Sequence, residues 1–260
     1  MSKIKIESTG ITHVGLVREN NEDNFFINGI YKSNKKGVAE GYVDNMQRDT
    51  YLYAVLDGMG GESYGEYASM IAAKSLIKYI SSDIRRTIFD YIQNANKLIC
   101  DEITKNNGIR SGTTLALLYI REGKAMAYNI GDSRIYLCRN DDLYLLSEDH
   151  TEAQRLINAG RLDEESARHH KSKNILTQHL GIFPSEMILE PYASAEIRLK
   201  RNDMFMLCSD GLTDMVSDDN IREIMVRGDL DVPGITKELS ATAQENGGND
   251  NTTIIVAKVI

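Results

Sequence analysis

Short apolar runs bounded by Gly, Asn and Asp punctuate this chain. They predict strands over residues 13–17, 24–29, 51–56, 113–120, 125–130, 134–138, 143–146, 195–199, 204–208 and 252–259. Asn140-Asp141-Asp142 between two of them reads as a hairpin turn. Two long segments repeat apolar residues every three to four positions. Residues 66–81 carry Ala68, Ile71, Ala72, Leu76 and Tyr79, and residues 84–105 carry Ile84, Ile88, Ile92, Ala95, Leu98 or Ile99, and Ile103. Ser82 or Asp83 caps the second helix. Late in the chain, Ser217 caps a helix that runs through Arg227 to Gly228, and Asp231-Val232-Pro233 opens another that stops near Gly247. Strands and helices do not alternate, which disfavours a doubly wound parallel sheet and favours an antiparallel α+β layered fold.

Only three prolines occur, and no linker-like or repetitive stretch interrupts the 260 residues, so a single domain spanning residues 1–260 is expected. The net charge of −8 argues against nucleic acid, which needs a concentrated basic face. It leaves room for a phosphorylated protein, which one arginine and a metal can capture. Cys100, Cys138 and Cys208 are odd in number, lack CxxC spacing and sit among apolar residues, so buried free thiols in a reducing compartment are expected. The first residues lack an apolar signal-peptide core and no run approaches membrane-spanning length, giving a cytoplasmic reading without a membrane partner.

The chemistry concentrates at Asp-Gly pairs. Asp57-Gly58 and Asp210-Gly211 each close an apolar run, and neither is followed directly by a hairpin strand. Each pair therefore reads either as a sharp turn or as a buried strand that delivers a carboxylate at its end. Asp250 in Gly247-Gly-Asn-Asp-Asn adds a third carboxylate. Arg18-Glu-Asn-Asn-Glu22-Asp23 is either a solvated charged turn or an arginine and two acids presented together. Gly131-Asp132-Ser133-Arg134, taken alone, is a turn. The five histidines have no zinc spacing, with His13 read as structural and His169-His170 as surface. Hard oxygen donors point to Mg2+ or Mn2+, with Ca2+ as the runner-up ion and no EF-hand pattern present.

Taken together, these segments resemble the type-2C metal-dependent protein phosphatases, the PPM family, in their compact bacterial form. The carrying motifs are Gly15-x-x-Arg18-x-x-Asn21-Glu22-Asp23, Asp57-Gly-Met-Gly-Gly61, Gly65-Glu-Tyr-Ala-Ser69 and Ser111-Gly-Thr-Thr114. They continue with Gly131-Asp-Ser-Arg134, Glu148-Asp-His150, Leu176-Thr-Gln-His-Leu-Gly181, Cys208-Ser-Asp-Gly-Leu212 and Gly248-Asn-Asp-Asn-x-Thr253. Each is weak alone, but in register they span nearly the whole chain. The resemblance implies a four-layer α-β-β-α sandwich, with two central antiparallel sheets flanked by helices and metals in a cleft at one end. It implies that Asp57 bridges two Mn2+ or Mg2+ ions. Asp210 and Asp250 would complete the first ion's ligands, and Glu22 and the Gly58 carbonyl would serve the second. Asp132 with Asp210 would form a weaker third site, Asp23 would orient a bound water, and Arg18 would hold the phosphate. The segment over residues 150–181 corresponds to the family's flap.

The implied reaction is hydrolysis of phosphoserine and phosphothreonine in proteins. A hydroxide shared by two ions attacks phosphorus directly, without a phosphoenzyme. The implied substrates are products of a bacterial Ser/Thr kinase, and a monomer is the default assembly. One departure stands out. Relatives that read Asp-Gly-His-Gly-Gly carry a histidine, the proposed general acid, where this chain has Met59, and a thioether cannot donate a proton. A water on the third ion is the substitute candidate. The rival readings are a non-catalytic, phosphoprotein-binding pseudophosphatase and a calcium-binding structural domain.

Overall fold

Strands with apolar residues on both faces need a cover on both faces, and that requirement sets the architecture. The computed structural model describes residues 5–33, 42–60, 64–168 and 170–260. In chain order the strands and helices are β1 (Ile6–His13), β2 (Asn24–Ile27), β3 (Ile30–Tyr31), β4 (Tyr42–Asp44), β5 (Thr50–Leu56), β6 (Gly58–Gly60), α1 (Tyr64–Ser75) and α2 (Ile84–Lys105). Then come β7 (Ser111–Thr113), β8 (Leu115–Arg121), β9 (Lys124–Ile130), β10 (Arg134–Arg139), β11 (Asp142–Leu145), α3 (Glu152–Asn158) and α4 (Glu164–Arg168). The last are β12 (Tyr192–Ala193), β13 (Ile197–Arg198), β14 (Met204–Cys208), α5 (Asp210–Thr213), α6 (Asp218–Met225), α7 (Val232–Glu245) and β15 (Thr252–Val259).

Two antiparallel sheets form the centre. One has the order β11-β10-β14-β15-β1-β4, and the other β12-β9-β8-β5-β2-β3 with β13 also on β9. Side-chain alternation along single strands builds three apolar layers. In β5, Tyr51, Tyr53 and Val55 face the opposing sheet, while Leu52, Ala54 and Leu56 face α1 and α2. In β14, Phe205 and Leu207 face inward, while Met204, Met206 and Cys208 meet Leu212, Ile221, Ile235 and Leu239 of the helices on the other side. Helices therefore cover both outer faces, giving the expected four layers.

Local signals act as anticipated at several ends. Asp83 caps α2 by accepting from the Arg85 N–H, Ser217 caps α6 through the Asn220 N–H, and Asp231 caps α7 through the Gly234 N–H. Asn140 and Asp141 take positive φ of 54° and 67°, forming the β10–β11 turn. Other expectations shift. The first strand is Ile6–His13, and Leu16 and Val17 are exposed at 68% and 64%. The helix expected to reach residue 81 is α up to Ser75 and then a 3-10 turn over Leu76–Tyr79. The strand expected over 113–120 divides at Thr114 into β7 and β8. All three cysteines are buried and free. His169 lies outside the described residues, and no helix among the described residues is long and apolar enough to cross a membrane.

Candidate active site

The ends of five segments from distant parts of the chain converge at one end of the sandwich, around a cleft of about 600 Å3. Arg18 and Glu22 come from the loop after β1, Asp57 and Gly58 from the β5–β6 junction, and Asp132 from the β9–β10 turn. Asp210 starts α5 and Asp250 precedes β15. All seven line the cleft. Asp23 stands behind them, fully buried, where it accepts a hydrogen bond from Ser209 Oγ at 2.8 Å.

Gly58 is required by sterics. A Cβ there would run into the carbonyl oxygens of Glu22 and Gly65, so the backbone of Gly58 is in close contact with the Glu22 segment and the start of α1. Thr114 brackets Asp57. Its Oγ1 accepts the Asp57 N–H at 2.9 Å, its own N–H donates to the Asp57 carbonyl at 2.9 Å, and its hydroxyl pairs with Ser133 Oγ at 2.7 Å beside Asp132. Asn251 ties the two chain ends together. Its Oδ1 accepts the Glu22 N–H at 2.7 Å, and its Nδ2 donates to the carbonyls of Val14 at 2.8 Å and Asn20 at 2.9 Å. Thr114, Ser209 and Asn251 build the site without a sequence signal of their own. In the sequence they show only as neighbours within the Thr-Thr, Ser-Asp-Gly and Asn-Asp-Asn motifs.

The carboxylates are crowded, and their proton affinities show it. Burial, then Asp23, Asp210 and Asp132, push Asp57 well above the usual carboxylate range. Burial, then Asp132, Asp250 and Asp214, do the same to Asp210. The two carboxyls hydrogen-bond each other, which requires a shared proton. Burial, with Asp149 adding, raises Asp132 to about 7, and burial, with Glu66 adding, raises Glu22 to about 7. Burial raises Asp23 to about 6 against hydrogen bonds from Thr253 and Ser209. Asp250 pairs with Arg18, Nη2 to Oδ2 at 2.7 Å. Among the described residues no three acid, His or Cys side chains are already drawn into an ion-binding set. The donor set still fits divalent ions. Every donor is a hard oxygen, and a cation would replace the proton that Asp57 and Asp210 share.

The family model of protein phosphatase 2C matches residues 8–252. The chain belongs to the protein phosphatase 2C family. The phosphatase is 32% identical over 262 residues to protein phosphatase PhpP of Streptococcus pneumoniae, covering 98% of each chain. It superposes on the S. agalactiae serine/threonine phosphatase with a TM-score of 0.83 at 28% identity, covering 98% of this chain and 100% of that one. The catalytic domain of the serine/threonine phosphatase PstP, in complex with two manganese ions, matches with a TM-score of 0.80 at 27% identity over 99% of both chains. The enzyme is thus a Ser/Thr protein phosphatase of a metal-dependent family.

The segment over residues 150–181, expected to correspond to the family's flap, contains α3 and α4. It is closed at its base by bridges from Thr151 to Leu176 and from Thr113 to Leu180. Lys173 Nζ of this segment reaches Asp214 Oδ1, just after α5, at 2.9 Å. A second hollow of about 480 Å3 lies under it and shares Asp132 and Asp210 with the cleft.

Proposed function

We propose that the cleft holds two Mn2+ or Mg2+ ions and hydrolyses phosphoserine and phosphothreonine in proteins without a phosphoenzyme. The observation that carries this reading is the convergence of Arg18 with oxygen donors from five segments on one cleft. Asp57 would bridge the ions. Asp210 and Asp250 would serve one, Glu22 and the Gly58 carbonyl the other, and Asp132 with Asp210 a weaker third. Ions bound there supply a water of lowered pKa and positive charge for the phosphoryl oxygens. Arg18 grips the phosphate through its planar fork of donors once Asp250 is engaged elsewhere. Asp23, behind the lining residues, would orient a bound water. No cysteine lines the cleft, which accords with direct attack by water.

The substrates proposed are cytoplasmic proteins phosphorylated by a bacterial Ser/Thr kinase; of this, the relatives' names carry only the serine/threonine phosphatase part. Every donor comes from one chain, so a monomer suffices. In a Mn2+-dependent assay on a phosphothreonine peptide, Asp57→Asn and Asp210→Asn are each expected to lose at least ~10³-fold in kcat, on the scale of electrostatic and metal stabilisation of a transition state. Activity retained in both variants refutes the assignment. A wild-type protein that binds Mn2+ and phosphopeptide without turnover would instead establish the binding-module reading.

A further inference from the structure

Hydrolysis of a serine or threonine phosphate expels an alkoxide, which must receive a proton as its bond to phosphorus breaks. Met59 lines the cleft and has no proton to give. We propose that His179 is the general acid for the leaving alkoxide, supplied from the flap's C-terminal base rather than from residue 59.

The geometry rests on the small β6–β7 ribbon. Met59 and Gly112 are directly opposed in its antiparallel register, and opposed residues project their side chains to the same face. A Cβ on Gly112 would come within 2.9 Å of His179 Cε1 and 2.6 Å of the Leu180 carbonyl oxygen, and would collide with His179 Nδ1. The imidazole therefore fills the volume that Gly112 leaves open, on the face toward which Met59 projects. It is the one imidazole among the described residues lining the cleft, which it shares with Arg18, Asp57 and Asp210.

The ring is also mounted firmly. Nδ1 lies 2.9 Å from the Leu180 carbonyl, which can only accept, so Nδ1 carries a hydrogen and Nε2 is the nitrogen left for proton exchange. Leu180 is locked to Thr113 by two backbone hydrogen bonds of 2.9 and 3.0 Å, which fixes the ring to the ribbon that begins with Gly58. The charged groups acting on the ring are Arg110 and Glu186, themselves paired at 2.6 Å. Burial holds the imidazolium below the ordinary histidine value, against the hydrogen bond to the Leu180 carbonyl, so the acting acid is the protonated minority form, which donates strongly when present.

The step balances. Water attacks phosphorus, and the bond to the seryl or threonyl oxygen breaks with its electron pair on that oxygen. The Nε2 proton then moves to it, giving a free hydroxyl and inorganic phosphate. The neutral imidazole regains a proton from solvent, equal to the one the attacking water releases.

This assignment rests on the phosphatase mechanism proposed above. The test measures kcat with Mn2+ for wild type and His179→Gln on a phosphothreonine peptide and on para-nitrophenyl phosphate, whose phenolate leaves without a proton near neutrality. The loss on the peptide should exceed the loss on para-nitrophenyl phosphate by ~10²-fold. Adding Met59→His to the His179→Gln variant should restore part of the peptide turnover. Equal losses on both substrates, or no loss on either, overturn the assignment. Mn2+-induced thermal stabilisation of each variant reports an intact fold and metal site. A wild type inactive on both substrates with Mn2+ would refute the underlying mechanism instead.

Discussion

Asp23 carries its charge without direct solvent contact, and removing that charge should leave a signature in stability against pH. Its folded value of about 6 lies above the ordinary 3.8. A carboxyl whose folded value is raised contributes most below its unfolded value, and the contribution is lost as pH rises through the folded value. Across the full range that amounts to ~3 kcal/mol at 1.4 kcal/mol per pH unit. About half of it, ~1–2 kcal/mol, falls between pH 5 and 7.5. For a chain of this size that corresponds to ~3–6 °C in Tm. The measurement is the Tm of wild type minus that of Asp23→Asn in EDTA, taken across the pH range. Constant packing differences and the titration of distant groups cancel in this comparison, while Asp57 and Glu22, which Asp23 raises, fall with its charge and add to the trend in the same direction. Wild type should gain on the variant as pH falls. Mn2+ should flatten the trend, because nearby cations lower the carboxyl's proton affinity. A difference that is flat in EDTA, or that grows toward alkaline pH, would show Asp23 to ionise as an ordinary carboxyl and refute the reasoning.

Mn2+ at about 100 times its Kd should stabilise wild type by ~2.7 kcal/mol, seen as a Tm rise of several degrees that EDTA reverses. An unchanged Tm would count against the site. Arg18→Ala should mainly raise KM for phosphopeptides and spare Mn2+ binding by calorimetry. If Mn2+ binding fails instead, Arg18 serves to order Asp250. Asn251→Ala removes a buried carboxamide with three hydrogen bonds and should cost ~2–4 kcal/mol in denaturant melts. A cost under ~0.5 kcal/mol would show that the Arg18 loop holds its place without it.

What the sequence made legible follows physical signal strength. The strands covered on both faces were plain, because Met204–Cys208 is an unbroken apolar run and Thr252–Val259 centres on Ile254-Ile-Val-Ala257, and the observed bounds of both match the expected ones. The first strand was not. Ile6–His13 has only two large apolar residues among small and polar ones and is held by its full-length pairing with β15, whereas the more apolar Val14–Val17 region is a loop. The β6–β7 ribbon was invisible for a related reason. Its sequences, Gly-Met-Gly and Ser-Gly-Thr, carry no periodic pattern, and close backbone packing selects them. The carboxylates were legible as motif residues. Their mutual proton sharing and the Arg18–Asp250 pair were not, since both depend on contacts between segments more than 150 residues apart.

β15 is the final strand in the chain, yet it lies between β14 and β1 near the middle of its sheet. During synthesis β1 and β14 emerge with the gap between them unfilled, and the apolar faces that β15 will cover wait for it. Its pairing with β1 joins residues about 240–250 positions apart, a loop closure that puts this fold among the slow, high-contact-order class. Asp250 and Asn251 arrive with the same strand. The chain therefore gains its sheet centre and its last cleft residues in one late event, and a ribosome-bound or C-terminally clipped chain would present an aggregation-prone gap without activity.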